Sequence, residues 1–348
     1  MAEIADINTP LLHNYWYVAG YADEFDEGLH ERTFLDHSIV IFRTSQGDLK
    51  ALQNRCAHRS FPLAHGWLEQ DSIRCRYHGA RYDGGGRLIE VPSMKACPRV
   101  DIRSYPMAVT GPLAWIWMGE PDRIGPLPDT SWLGEGWRYV HGSYLFKANW
   151  LLMAENLMDL THVPFLHETS LSMSREFAEL QIRLETRPES LTFYRDNPAG
   201  YQRSPFLTAH ISEQLEHTGF HARSSVDFVS PALTVGGGTF RPTQCEGHEQ
   251  TVYRFEIAHF ITPKSQDETY YWYFHARNYC LDDAQLSDRI KATVVAAFQE
   301  DKFAIEHVQR MHEEDASPFR ETHFKSDGPA VEMRRMIARL AAKEKQPA

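Results

Sequence analysis

The 348-residue sequence has few cysteines, no long apolar run and no surplus of positive charge. Each shortage excludes something. Five cysteines in a chain of this length are not a disulfide framework, so a cytoplasmic setting is the default expectation. No apolar run approaches the roughly 18 residues that a membrane span needs, and no membrane association is expected. The opening MAEIADINTP has neither a basic start nor an apolar stretch, so no export signal is read there. A net charge of −11 argues against nucleic acid, whose phosphates need a concentrated positive surface. It suits solubility and a partner that carries a basic patch. The glycine runs Gly84–Gly86 and Gly236–Gly238 lack the G-x-G-x-x-G spacing ahead of a helix. No nucleotide-binding fingerprint is read in them.

What is present describes a two-domain globular chain. Apolar residues make up 42% and charged residues 24%, and the length exceeds one ordinary core. The first third reads as β: short β-prone runs at Ser38–Arg43 and Leu49–Gln53 flank a turn at Gly47 and Asp48. A glycine turn spans Tyr82–Arg87, and Leu113–Met118 is an aromatic strand of buried type. Three prolines and a glycine between Pro121 and Asp129 mark a connection. Beyond it come a helix over Trp150–His162 and strands over Thr251–Thr262 and Thr269–Asn278. A long closing helix follows from about Asp283 to His312, then a frayed tail, Ala341–Ala348. The expected division is residues 1–140 and 141–348. The fold class is α+β: an all-β N-terminal domain followed by a helix-covered antiparallel sheet.

Histidine is plentiful, at 18 copies, and two sets of histidines keep company with other ligand types. The first is Cys56-Ala-His58, then sixteen residues, then Cys75-Arg-Tyr-His78. Each loop offers one thiolate and one imidazole. A Cys₂His₂ zinc site competes, but zinc fingers usually pair Cys with Cys and His with His. The mixed pairing suits a Rieske [2Fe–2S] cluster, in which one iron takes both thiolates and the other both imidazoles. Imidazole ligation raises the potential to roughly −150 to +300 mV, against about −400 mV for plant-type ferredoxins. A cluster alone supports only electron transfer, and most of the chain lies outside these loops.

The second set lies in Glu155–His167. Glu155, Asp159 and His162 share one face of a regular helix. His162 and His167 are five residues apart and converge only if the helix breaks, a break expected from Pro164. Two histidines need a further ligand. The closing helix has an apolar stripe of Leu286, Ile290, Val294, Phe298, Ile305 and Val308, and Asp301 falls on it. A carboxylate on a core-facing seam needs a partner. Glu300 and Glu306 fall off the stripe and read as solvated, and Asp282 reads as the N-cap. Two histidines and one carboxylate with open positions form the facial triad of non-haem Fe(II) oxygenases. In the strand Thr251–Thr262, His259 is the polar member of the face Tyr253, Phe255, Ile257 and Ile261. It reads equally as a substrate contact and as a satisfied core histidine.

The segments NRCAHRS and CRYHGARYDGGG resemble the Rieske ligand loops, departing from common prolines at Ala57 and Arg76. With NYWYVAGYADE, ENLMDLTH-x₄-H, FITPKSQDETYYWYFHARNY and QEDKFAIE, the resemblance covers most of the chain. It is to the Rieske oxygenases that act on aromatic methyl ethers, the vanillate and dicamba O-demethylase group. The resemblance implies a terminal oxygenase using O₂ and electrons from a separate NAD(P)H-dependent reductase or ferredoxin to hydroxylate or O-/N-demethylate a small aromatic substrate. It implies a head-to-tail homotrimer in which Asp159 links His78 of one chain to His162 of the next. Asn156 would sit beside the iron. Two alternatives stay open: a ring cis-dihydroxylating dioxygenase α subunit, and an electron-transfer protein with a degenerate catalytic domain.

Overall fold

The computed structural model describes residues 4–197, 220–242, 252–315, 317 and 321–345. Backbone contacts divide the chain into two compact units. One comprises residues 11–128 and 262–265, the other 1–10, 129–261 and 266–348. The division thus falls at Pro128 rather than at 140, and the segment up to Pro10 joins the larger unit. Hydrogen bonds explain the exchange. The Asn149 amide donates to the Ile7 carbonyl at 3.1 Å, and Arg334 Nε donates to the Ala5 carbonyl at 2.8 Å. Backbone groups of the leading segment are satisfied there rather than by water.

The smaller unit is all β. Its strands are β1 (Trp16–Tyr21), β2 (His30–Phe34), β3 (His37–Arg43), β4 (Leu49–Gln53), β5 (Trp67–Glu69), β6 (Ser72–Arg74), β7 (Arg81–Asp83), β8 (Leu88–Glu90), β9 (Ser104–Tyr105), β10 (Met107–Thr110) and β11 (Leu113–Trp117). They form three sheets, ordered β1-β11-β10, β2-β3-β4-β9 and β5-β6-β7-β8. Ile39–Phe42 of β3 and all of β11 are buried, which is why these runs carry no polar alternation. The two Cys/His loops follow β4 and join β6 to β7.

The larger unit holds one seven-stranded antiparallel sheet. Its strands are β12 (Arg138–Phe146), β13 (Ile182–Thr186), β14 (Leu191–Asn197), β15 (Phe220–Ser230), β16 (Leu233–Pro242), β17 (Tyr253–Pro263) and β18 (Thr269–Arg277). Their spatial order is β12-β18-β17-β16-β15-β14-β13. The helices are α1 (Trp150–Met158), α2 (Val163–Leu166), α3 (Glu176–Glu179), α4 (Ala284–Glu314) and α5 (Gly328–Glu344). The long helix starts one residue later than expected: Asp283, not Asp282, caps it, accepting from Leu286 N at 2.8 Å. Its buried stripe runs through Leu286, Ile290, Val294, Phe298, Asp301 and Ile305, then to Gln309. Val308, expected on that stripe, is 44% exposed because the buried face advances by four residues after Ile305. The helix α5 was not anticipated. It begins at Gly328-Pro329 and buries Met333, Met336 and Ile337, and it carries Ala341–Glu344 of the expected frayed tail.

Candidate metal centres

The two ligand loops of the smaller unit share one backbone turn. Cys56 N donates to Phe61 O at 2.9 Å, and Ser60 N donates back to Cys56 O at 2.9 Å. Cys75 N likewise donates to Ala80 O at 2.8 Å, and Gly79 N to Cys75 O at 3.0 Å. Each turn closes on a residue with positive φ: Ser60 at 57° and Gly79 at 73°. At Gly79 a Cβ would also meet Pro92 Cγ at 2.9 Å. Both turns bury their thiol and expose their imidazole, and the His58 and His78 rings lie 4.6 Å apart. Burial raises the Cys75 thiol, and the neighbouring Cys56 thiol adds to that effect, against backbone N–H groups of Tyr77 and His78. Two thiols inside and two imidazoles outside fit a cluster held by different ligand types at its two irons.

In the larger unit, α1 starts at an Asn149 cap, whose side chain accepts from Leu151 N at 2.9 Å. It ends at Met158, not at His162. Asp159 is extended (φ −128°, ψ 106°), and its carboxylate takes the Thr161 N–H at 2.7 Å and the Thr161 hydroxyl. This local capping outbids helix continuation and opens a 3₁₀ turn, Leu160–His162. Pro164 does not make the break. It sits in the first turn of α2, where its missing N–H has no helical acceptor to lose. Glu155, expected to share a face with Asp159 and His162, instead pairs with Arg334 at 3.1 Å.

The break aims both histidines at Asp301. His162 Nε2 lies 3.6 Å and His167 Nε2 3.3 Å from Asp301 Oδ1, and the three ligand atoms fall within 4.8 Å of one another. The outer nitrogens are committed: His162 Nδ1 donates to the Asp159 carbonyl at 2.5 Å, and His167 Nδ1 to Glu300 Oε2 at 2.8 Å. Each bond leaves an Nε2 lone pair facing the centre. Asn156 Nδ2 donates to Asp301 Oδ1 at 3.1 Å, which places it at the centre rather than along its own helix. Burial lowers the pKa of His162 despite the charge of Asp301. For His167, burial is outweighed by hydrogen bonds and charge from Asp301 and Glu300, and its pKa is raised. A buried carboxylate and two imidazoles with inward lone pairs fit a divalent metal with open positions.

Glu300 is the residue that sequence reading misplaced most. It is partly buried and also accepts from Thr169 at 3.0 Å and Ser170 at 2.6 Å. Its signal was adjacency to Asp301, because a step of about 100° lets neighbours flank one imidazole. Glu306 is likewise engaged, accepting from Lys147 N at 2.8 Å and from Lys302.

The three candidate ligand residues and Asn156 line a cavity of about 170 Å³. His259, 6% exposed, lines it too, with Val163, Leu171, Phe177, Phe255 and Phe298 among its apolar neighbours. An apolar cavity of roughly 150 Å³ takes benzene, so this one is of single-ring scale. The stretch 170–245 was expected to shape the pocket and contributes Met173, Leu180, Val226 and Phe240. Its residues 198–219 and 243–245 lie outside those described.

One unit built for an electron carrier and a second built for a metal beside an apolar cavity divide labour as Rieske-type oxygenases do. The chain matches the Rieske [2Fe–2S] domain over residues 15–106 and the vanillate O-demethylase oxygenase C-terminal domain over residues 146–343. It is 33% identical to a toluene-4-sulfonate monooxygenase system iron-sulfur subunit of Comamonas testosteroni, covering 85% of this chain and 87% of that one. It is 29% identical to the chloroacetanilide N-alkylformylase oxygenase component of Rhizorhabdus wittichii, over 97% of each. The crystal structure of dicamba monooxygenase bound to 3,6-dichlorosalicylic acid superposes with a TM-score of 0.86 at 25% identity, over 99% of this chain and all of that one. The chain belongs to the vanillate O-demethylase oxygenase family, as the oxygenase component of a Rieske monooxygenase. No described helix is long and apolar enough to cross a membrane.

Proposed function

We propose that this chain hydroxylates or demethylates a small aromatic substrate, drawing electrons from a separate NAD(P)H-dependent reductase or ferredoxin in the cytoplasm. The observation that carries the reading is the convergence of His162 Nε2, His167 Nε2 and Asp301 on the wall of an apolar cavity. The smaller unit would hold the [2Fe–2S] cluster through Cys56, His58, Cys75 and His78. The larger unit would hold Fe(II) through His162, His167 and Asp301. When bound, the cluster delivers electrons and the iron supplies reductive O₂ activation. One oxygen atom enters the substrate and the other leaves as water, with two electrons and two protons. At a methoxy or N-methyl carbon the hydroxylated product collapses with loss of formaldehyde.

The chain's own residues set the conditions. Glu300 and the Asp159 carbonyl keep each imidazole proton on Nδ1, so both Nε2 atoms face the centre. Apolar side chains exclude water around the ring, and His259 offers the polar contact. Asp159 and His162 also line a second, open hollow of about 500 Å³, which supports docking of His78 from a neighbouring chain in a homotrimer.

The test combines the purified chain, a cognate reductase, NADH and a panel of methoxy- and methyl-aromatics. About three irons per chain and formaldehyde or hydroxylated product are expected. About two irons and no product would leave an electron-transfer protein. A cis-diol made only with a second subunit would make it a dioxygenase α subunit.

A further inference from the structure

The sheet face that walls the cavity is built in rows across the strands. Arg195 of β14 lies opposite Ser224 of β15, Ser224 opposite Gly238 of β16, and Gly238 opposite Phe255 of β17. All four line the cavity. Residues directly opposite one another on antiparallel strands share a face. A guanidinium and a hydroxyl therefore stand side by side in this row. The adjoining row, Phe193, Val226, Gly236 and Ile257, is apolar. Arg195 is 1% exposed. Its Nη1 donates to the Phe177 carbonyl at 2.9 Å, and its head lies over the Phe177 ring, 5.2 Å from the centroid. Both contacts fix the plane of the guanidinium at the wall. An arginine carries several N–H donors in one rigid fork, so one head serves a protein acceptor and a ligand oxyanion together. Among the described residues of the wall, the other charged side chains are Arg223 and Asp301. Arg223 is exposed and pairs with Asp196 at 2.5 Å, one position along each strand and so on the opposite face. Asp301 belongs to the candidate metal set, which enters from the helices. The charge that the sheet itself brings to the cavity is positive.

We propose that Arg195, with the Ser224 hydroxyl beside it, forms a carboxylate subsite that selects aromatic acids over neutral rings. The inference rests on the oxygenase reading and narrows its substrate class. The two oxygens of a carboxylate match parallel N–H donors on one edge of a guanidinium, and such charge-assisted pairs are about twice as strong as neutral hydrogen bonds. Apolar surroundings strengthen the pair further. Phe255 closes the row with apolar surface: its Cε1 lies 2.6 Å from where a Cβ on Gly238 would stand, so the ring occupies the space that glycine leaves. A neutral ring gains the same apolar contact without the pairing.

Anaerobic calorimetric titration of the holoenzyme tests this with two probes of one shape, 4-methoxybenzoate and the neutral 4-methoxybenzamide. The benzoate should bind at least about 10-fold tighter, the low end for hydrogen bonds to a charged group. Arg195→Met keeps an unbranched apolar stem. It should abolish the preference and leave benzamide affinity unchanged, which also shows that the cavity is intact. Arg195→Lys retains a charge but not the fork, and should keep only part of the preference. Ser224→Ala should weaken the benzoate several-fold and leave the benzamide alone. Equal affinities in the wild-type chain, or a preference that survives Arg195→Met, overturn the subsite. If Arg195→Met binds neither probe, Ser224→Ala decides: an equal effect on both probes, or on neither, overturns it. Formaldehyde from 4-methoxybenzamide in a chain without the preference would sink this inference and leave the oxygenase reading standing.

Discussion

In the Rieske unit, backbone holds the proposed ligands in place. Cys56 and Cys75 each sit in a turn closed by their own N–H and C=O. In the catalytic unit, side chains take over much of that work. Glu300 accepts from His167, and Asn156 donates to Asp301. Burial is reversed as well: thiols are inside and imidazoles exposed in the first, whereas His167 and Asp301 are 2% and 6% exposed in the second. A backbone-held site tolerates exchange of neighbouring side chains. A site held by side chains adds vulnerable residues beyond its ligands, and it can be tuned through them.

The sharpest test of this contrast is a reciprocal pair. Cys75→Ala is expected to abolish the cluster's visible absorbance and leave mononuclear iron near one per chain. Asp301→Ala is expected to lose that iron and all turnover, with the cluster spectrum unchanged, because two remaining ligands cannot hold Fe(II) against water. Metal analysis and absorption spectra of both variants read the outcome. Loss of both metals from either variant would mean that the two centres are not independent.

Asp159→Asn comes next. The carboxylate bonds Thr161, while His162 is served by the Asp159 carbonyl, so both metals should stay bound. In the proposed trimer the substitution removes the negative charge facing a neighbour's His78, and most turnover is expected to go. Single-turnover oxidation of the pre-reduced cluster, with substrate and O₂, measures it. A wild-type rate makes Asp159 a local cap only.

Glu300→Ala separates the two plans more finely. It leaves His167 Nδ1–H without its acceptor but keeps every proposed ligand. Loss of such an outer partner typically costs about 10–100-fold in metal affinity. Competition with a chelator should find that loss at the mononuclear site and none at the cluster. Equal retention of iron would place the control of His167 elsewhere.

How each centre could be read from sequence follows from the same contrast. The cluster residues fall within a short stretch, and matched Cys/His pairs are visible as spacing alone. The pairing of His162 with His167 was legible, but the cause of their convergence was not. Pro164 looked like the breaker, whereas the competition won by Asp159 is a side-chain bond to Thr161 that a helical wheel does not contain. Asp301 was found because a charge on an apolar stripe is anomalous. Glu300 was missed because, off that stripe, it looks like any solvated carboxylate; only the approach of His167 from a distant segment reveals it. β3, β4 and β11 of the first unit, the turn between β7 and β8, and β17 and β18 were legible from composition. Helix α5 was not: its apolar residues Met333, Met336 and Ile337 are few, and the polar, charged segment before it announces no element.

The smallest expected effect belongs to Tyr82 and tests the backbone-held site. Its hydroxyl lies 3.4 Å from Cys56 Sγ and accepts from Ala57 N at 3.1 Å. Burial raises the Tyr82 pKa, so the phenol keeps its proton and directs it at sulfur. A donor to a thiolate ligand stabilises the cluster more in its reduced, more negative state than in its oxidised one. Tyr82→Phe removes that donor, so reduction becomes harder and the potential falls. A typical net hydrogen bond of about 1 kcal/mol corresponds to about 40 mV for one electron. The turns around Cys56 and Cys75 do not depend on the hydroxyl, so cluster content should match wild type. A spectroelectrochemical titration of the Rieske absorbance decides: a fall of this order with full cluster occupancy supports the assignment. An unchanged potential would show that the hydroxyl serves the Ala57 N–H and not the sulfur.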